Sequence, residues 1–263
     1  MERIKILTKD QVFGNNILDI FKINGSEAVI TDFAILLGGY FKTRDTLSDR
    51  VGNYWIDTEV IHGNLKINYV GFEHEDAVSA RSNGIRLAKD IKSIDKVPSN
   101  NKEVKCVDEN FYKVEYGYFP QMSANKNEQE KLNEMFDRKL MKKTGNIYTT
   151  DTMNQYSYVD KFKPQIFEEY EYKNNRYVRV PVNAACTNIE LVLSNGEKYT
   201  SIDYVWIKVE PIQWWIDEKA KIMVSEKILL SGIQFSNLWG ISNYEDSFLK
   251  EYINTYMEKE INK

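Results

Sequence analysis

The stretch Tyr204–Ser231, YVWIKVEPIQWWIDEKAKIMVSEKILLS, is the densest apolar and aromatic run in the chain. Val205, Ile207 and Val209 alternate with Trp206 and Lys208, the period of a strand with two different faces. Pro211 has no N–H for a ladder, so the strand must break or bulge there. Ile212–Ile216 resumes as a second strand, with Trp214 and Trp215 on opposite faces. Asp217–Ala220 reads as a polar turn and Ile222–Ser225 as a returning strand, followed by a helical turn. The ionisable residues fall in turns or at strand edges, so this unit reads as core and not as an active site.

The flanking sequence extends the same pattern. Asn195-Gly196 inside Ile189–Tyr199 is the strongest hairpin signal in the chain, because both residue types tolerate positive φ. Tyr170–Val180 is a second hairpin, turning on Asn174-Asn175. Phe111–Phe119 is a Tyr-rich strand closing on Pro120. Asn125-x-x-Glu128 has capping-box spacing, and Leu132, Met135, Phe136 and Leu140 follow on one helical face, with Gly145 as the stop. Asn146–Lys163 reads as an extended loop. At the other end, Thr8-x-x-Gln11 opens a helix that carries Val12, Phe13, Ile17, Ile20 and Phe21 and stops at Gly25. Ile30–Leu37 is a buried run ended by Gly38-Gly39. Asn53–Val60 and Leu65–Phe72 pair around His62-Gly63-Asn64, Glu73–Asp76 is an acidic turn, and Ala80–Ile91 holds a turn and then a strand. Phe248, Leu249, Tyr252, Ile253, Tyr256 and Met257 mark a closing amphipathic helix. The fold class is therefore α+β with an antiparallel sheet and flanking helices. The domain is expected to be single, 1–263, built from 1–91 and 111–263 joined by a linker around 92–110 that contains Pro98, Ser99, Asn100 and Asn101.

Composition bounds the function. Apolar residues at 42% and charged residues at 28% are ordinary for a globular chain. A net charge of −4 with both signs mixed argues against wide contact with a nucleic-acid backbone. Cys106 and Cys186 stand far apart in no metal-type spacing, which fits a reduced, cytoplasmic setting. No signal-peptide core and no apolar run of bilayer length is present, so no membrane partner is expected. Walker A, G-x-G-x-x-G and G-x-S-x-G patterns are absent.

Several phrases together resemble bacterial proteins related to the formylglycine-generating enzyme and the C-type lectin fold. Val114–Gln121, VEYGYFPQ, resembles their "FGxYPQ" opening; Val209–Trp214, VEPIQW, resembles their "PIxW" strand; Ser225–Ser231 resembles their "LLSExIL" turn. Asp32–Gly39 is similar to a later "DxxFLLS" element, Tyr54-Trp55 to the "YW" strand, and Gly84–Ala88, GIRLA, to the closing "GxRPAL", here without its proline. The elements that normally close the domain come first, so the resemblance implies a circularly permuted, C-type-lectin-like core related to uncharacterised bacterial and mobile-element proteins. The generating enzymes use cysteines before the closing strand. The corresponding Tyr69–Arg86 contains none, so no catalytic role carries over. Sugar-binding members use calcium with a Glu-Pro-Asn loop, and Glu210-Pro211-Ile212 is not that motif.

These readings point to a non-catalytic recognition protein whose partner is another protein, with no cofactor and no metal. On a phage or mobile element, an inhibitor of a host defence protein is the narrower form. A divergent enzyme of the generating-enzyme-like fold and a structural component of a phage or surface assembly stay open. Glu73-His74-Glu75-Asp76 could offer oxygen ligands, but three adjacent acids do not converge on a cation unaided, and a solvated turn is the simpler reading. Recognition is placed on two polar loops, Thr43–Arg50 with Arg44 and Arg50, and His74–Asn83 with Arg81. Arginine there can hold carboxylates bidentately and is enriched at binding hot spots. Trp239, in the apolar loop Asn237–Ile241, is a further candidate contact, and Arg86 is expected to be structural.

Overall fold

A computed structural model describes residues 3–47, 49–57, 64–76, 80, 82–100, 104–108, 111–151, 164–182, 191–200, 202–236 and 243–262. In chain order the elements are β1 (Ile4–Ile6), α1 (Lys9–Phe13), α2 (Asp19–Asn24), α3 (Asp32–Leu36), β2 (Phe41–Thr43), β3 (Arg50–Gly52), β4 (Tyr54–Trp55), β5 (Asn64–Ile67), β6 (Glu73–Asp76) and β7 (Leu87–Asp90). There follow β8 (Val104–Asp108), β9 (Phe111–Ser123), α4 (Lys126–Asp137), β10 (Lys142–Asp151), β11 (Pro164–Tyr172), β12 (Asn175–Pro181), β13 (Leu191–Val192), β14 (Lys198–Tyr199), β15 (Tyr204–Asp217) and β16 (Ile222–Ser225). The chain closes on α5 (Phe248–Tyr252), a π-helical segment (Ile253–Met257) and α6 (Glu258–Ile261). No described helix is long and apolar enough to cross a membrane.

The quoted stretch is the axis of a large antiparallel sheet ordered β1-β7-β16-β15-β12-β11-β10, with β9 on β15 and β8 on β9. β15 is one 14-residue strand and not two. Its ladder with β9 shifts register between Ile207 and Val209 and between Pro211 and Gln213, so Pro211 is accommodated by a bulge. Ile207 pairs with both Ser123 and Val178, and Trp214 with both Val114 and Ser225. β9 thus fills one edge of β15. β12 takes the other edge up to Lys208, and β16 takes it from Trp214 onward. Between them the sheet forks.

The two faces of β15 divide as the alternation requires. Val205, Ile207, Val209, Ile212, Trp214 and Ile216 enter the main core. Trp206 enters a second cluster with Ala124, Leu132 and Tyr177 under α4. Trp206 donates its indole N–H to Asn133 at 2.9 Å, so its polar atom is satisfied. Trp215 lies on the opposite face from Trp214, half-buried, with the Lys113 ammonium 4.0 Å from its ring centre. The main core draws on both ends of the chain. Phe33 meets Phe119 and Phe167 edge-on at 5.9 and 5.7 Å, and Trp55 meets Phe235 at 5.5 Å. β7 also pairs with β16. The stretch around residues 92–110 carries β8, laid along β9, and Asn100 accepts from Gly117 N at 3.0 Å.

Several local expectations need correction. The first helix is two, α1 and α2, interrupted from Gly14 to Leu18. Glu73–Asp76 is an edge strand paired with β5, where charge discourages further pairing. α4 ends at Asp137, not at Gly145: Lys139 takes the positive φ (58°) and Leu140 points to solvent. Gly145 (φ 91°) instead serves a bulge in β10. Residues 146–151, expected in a loop, complete β10 and pair with β11. The β11–β12 turn is Lys173-Asn174, both at positive φ, one residue earlier than expected. Residues 226–236 follow β16 without a helical turn.

Two consequences are measurable. Residues 1–91 and 111–263, expressed separately, are predicted not to unfold cooperatively, because each leaves half of the shared apolar core in water. Cooperative melting of both fragments alone would contradict this. Trp214→Ala, in the full chain, is predicted to cost roughly 3–5 kcal/mol in urea unfolding.

Candidate interaction surface

α3 is five residues long and every one is buried, with Thr31 capping it by accepting from Ala34 N at 3.1 Å. Asp32 opens this helix and is 0% exposed. A buried carboxylate needs partners for both oxygens. One oxygen accepts from the Arg50 guanidinium; the other accepts from Ser123 N at 2.8 Å, from Ser123 Oγ at 2.7 Å and from Ser194 Oγ. Ser194 N lies 3.2 Å from the first oxygen. Arg50 is 1% exposed and also donates to Val192 O at 3.4 Å. Its buried Nε finds no acceptor among the described residues. The pair therefore ties α3, β3, the end of β9 and the β13–β14 hairpin into one node.

This node corrects the sequence reading of Arg50. It is not a solvent-facing loop residue but the first residue of a buried strand, with its charge spent on Asp32. It cannot meet a partner. Arg86 is buried as expected: its Nε donates to Ser225 O at 3.0 Å, and its guanidinium faces the rings of Phe21 and Tyr54. The neighbouring charge of Arg86 partly offsets the burial that pushes the Tyr54 hydroxyl above its ordinary range. Arg81, Trp239, Cys186 and His62 lie outside the described residues. Cys106 is exposed. Among the described residues no group of three or more His, Cys, Asp and Glu is placed to hold a metal ion.

Arg44 is the expected site residue that does reach the surface. It sits in the loop between β2 and β3 and pairs with Glu27. Glu27 in turn flanks Gly71 in the β5–β6 turn, where an added Cβ would stand 3.0 Å from Glu27 Cγ and Ser26 Oγ. Gly71 has φ +80° as well, so only glycine fits there without strain. The turn is tightly held. The Asn68 side chain accepts from Val70 N at 3.0 Å and Phe72 N at 3.1 Å, and Ser26 Oγ donates to Gly71 O at 2.5 Å. Tyr69 N donates to Asn53 Oδ1 at 3.0 Å.

What this fixed turn presents is apolar. Phe72 is 68% exposed, and Val70 44%. Next to Val70 in the chain, Tyr69 meets the ring of Tyr40, 47% exposed, at a tilt with centroids 5.5 Å apart, and the Lys42 ammonium lies 5.4 Å from the Tyr69 ring. Tyr40 is itself fixed by its N–H on Ser82 O at 2.8 Å. A large exposed ring on a hydrogen-bonded turn, with Tyr69 and Val70 in the same turn, has the aromatic character enriched at protein interfaces. The sequence reading missed Tyr69, Val70 and Phe72 because it carried a strand through Phe72, and it passed over Tyr40, which follows Gly38-Gly39. Asn68 and Gly71, a turn-forming pair, were the available signal.

No family model, no curated protein and no solved structure matches the chain. The buried node sets its own prediction. Asp32→Ala strands the Arg50 charge in the interior, and the expected loss in chemical denaturation is about 3–5 kcal/mol. Asp32→Leu combined with Arg50→Met removes both charges and is expected to lose less. Equal losses would mean that the stranded charge is not the cause.

Proposed function

We propose that this chain is a non-catalytic recognition protein, and that it binds another protein through the surface formed by Tyr40, Lys42, Arg44, Tyr69, Val70 and Phe72. The observation that carries this reading is Phe72, a large apolar side chain mostly in solvent on a turn fixed by side-chain and backbone hydrogen bonds. Leaving such a ring in water has a cost, and docking it into a partner recovers roughly 1.5–3 kcal/mol. Fixing the turn's backbone beforehand removes the loop-ordering part of the entropy that association otherwise costs. Lys42 suits a partner that brings a carboxylate to the rim of the contact, and Arg44 would do the same by exchanging Glu27 for the partner's carboxylate.

The scaffold in this proposal is the permuted, C-type-lectin-like core that the sequence phrases imply. In its support, the quoted phrases lie side by side: VEYGYFPQ and VEPIQW are the paired strands β9 and β15. GIRLA bonds to the SEKILLS stretch through Ile85 and Leu230, and Trp55 N donates to Gly84 O at 3.0 Å. The buried carboxylates argue against catalysis at the node, since Asp32 is sealed from solvent and all its described contacts hold structure together.

The test is affinity isolation from the native host with the wild-type chain and with Tyr40→Ala/Arg44→Ala/Phe72→Ala, followed by calorimetry with the purified captured protein. All three residues are exposed, and losing the Arg44–Glu27 pair and the Tyr40–Tyr69 contact is expected to cost about 1–2 kcal/mol, so the variant is expected to stay folded with a modestly lower melting temperature. Its affinity for the partner is predicted to fall by roughly 2 kcal/mol or more. Unchanged affinity in the folded variant would remove this surface from the function.

A further inference from the structure

The fork in the large sheet opens a cleft of about 410 Å³ between the β11–β12 turn and the bulged part of β15. It is built from β9, β12, β15 and the first turn of α4, none of which contributes to the Phe72 surface. The volume suits a small molecule, but the lining is unlike an apolar pocket. Arg176, Lys208, Glu128, Glu210, Asn174 and Tyr118 supply most of it.

The charges in the cleft are not equally committed. Glu128 is fully engaged: it accepts from Lys208 at 2.9 Å, from the Tyr177 hydroxyl at 3.3 Å and from Asn125 N at 3.1 Å. Arg176 is different. Its guanidinium carbon lies over the Tyr118 ring, 4.0 Å from the centre, and the group comes no nearer than 3.7 Å to its carboxylate, Glu169. Glu169 is already held by the Tyr148 hydroxyl at 2.7 Å and Asn146 at 3.0 Å. Among the described residues Arg176 therefore makes no hydrogen bond with its planar set of donors, although ring and carboxylate fix its direction. Asn174, exposed at the turn, adds an amide beside it. On the far side, burial pushes the Glu210 carboxyl above its ordinary range, against the pull of Lys227 and Lys208.

We propose that this cleft is a binding site for a small carboxylic acid that also carries hydroxyl groups, with the carboxylate on Arg176 and the hydroxyls between Asn174 and Glu210. A planar, singly charged carboxylate matches the fork of a guanidinium. A doubly charged phosphate would stand against Glu128 and Glu210 in the same small space. Hydroxyl groups both donate and accept, which the mixed lining requires, and an apolar tail would leave the lining unsatisfied.

The experiment is calorimetry and ¹⁵N chemical-shift mapping on the full chain with gluconate, with glucose and inorganic phosphate as comparators. Saturable gluconate binding, with shifts centred on Arg176 and Asn174 and no saturation by glucose, is the expected result. Arg176→Lys keeps the charge but loses the fork, and should weaken gluconate roughly tenfold or more. Asn174→Gly removes the amide while keeping the positive φ of the turn (64°), so it should weaken gluconate severalfold with little change in melting, and it decides the matter if the lysine variant fails to fold. No saturation by gluconate, equal binding of glucose, tighter binding of phosphate, or full affinity in the folded variants would each overturn the proposal.

Discussion

The structure depends on a carboxylate that has left water. Asp32 sits at the start of a wholly buried helix, and a charge there is tolerated only because Arg50, Ser123 and Ser194 all donate to it. None of these partners is near in sequence, and each arrives on a different element. The same helix presses Phe33 between Phe119 and Phe167, so the polar node and the aromatic core close together. The two share α3, so the same five residues contribute to both.

The node also explains how an exposed surface can be rigid. β3 begins at Arg50 and bonds back to the chain just before α3, Ile30 N donating to Arg50 O at 2.8 Å and Gly52 N to Ala28 O at 3.1 Å. Just before Ala28, Ser26 braces the turn bearing Phe72 through Gly71 O, and Glu27 pairs with Arg44. A chain of direct contacts therefore runs from the buried carboxylate to the exposed ring. Such bracing suits recognition, where side chains held in the bound geometry lose less entropy on docking.

What could be read in the sequence was local. Both capping boxes form, Thr8 with Gln11 and Asn125 with Glu128, because their bonds span three residues and depend on little else. The Asn195-Gly196 hairpin and the Ile222–Ser225 strand are also short-range, β14 pairing with β13 and β16 with β15, the strand just before it in each case. The alternation in Tyr204–Asp217 correctly separated Trp214 from Trp215. What could not be read was set by distant partners. Arg50 looks solvent-bound within a polar run, and only Asp32 and the Val192 carbonyl make its burial tolerable. Thr149, Thr150 and Asp151 are buried polar residues in β10, and they hid a strand from a search for apolar alternation. Gly145 has the positive φ its residue type suggests, but a bulge uses it, while Lys139 bears the strained turn after α4. The candidate surface was half legible. Arg44 was visible as a loop cation, whereas Phe72 was mistaken for a strand residue because exposure is not written in residue type.

The central claim is that the Asp32 node holds the Phe72-bearing surface in place. Amide hydrogen exchange on the wild type and on Asp32→Asn tests it most directly, since asparagine keeps the shape and removes the charge. The account predicts that protection falls at Ile30, Gly52, Val70 and Phe72, while the β9–β15 ladder around Trp214 keeps most of its protection. Unchanged exchange at Val70 and Phe72, or a uniform loss across the whole sheet, would contradict it.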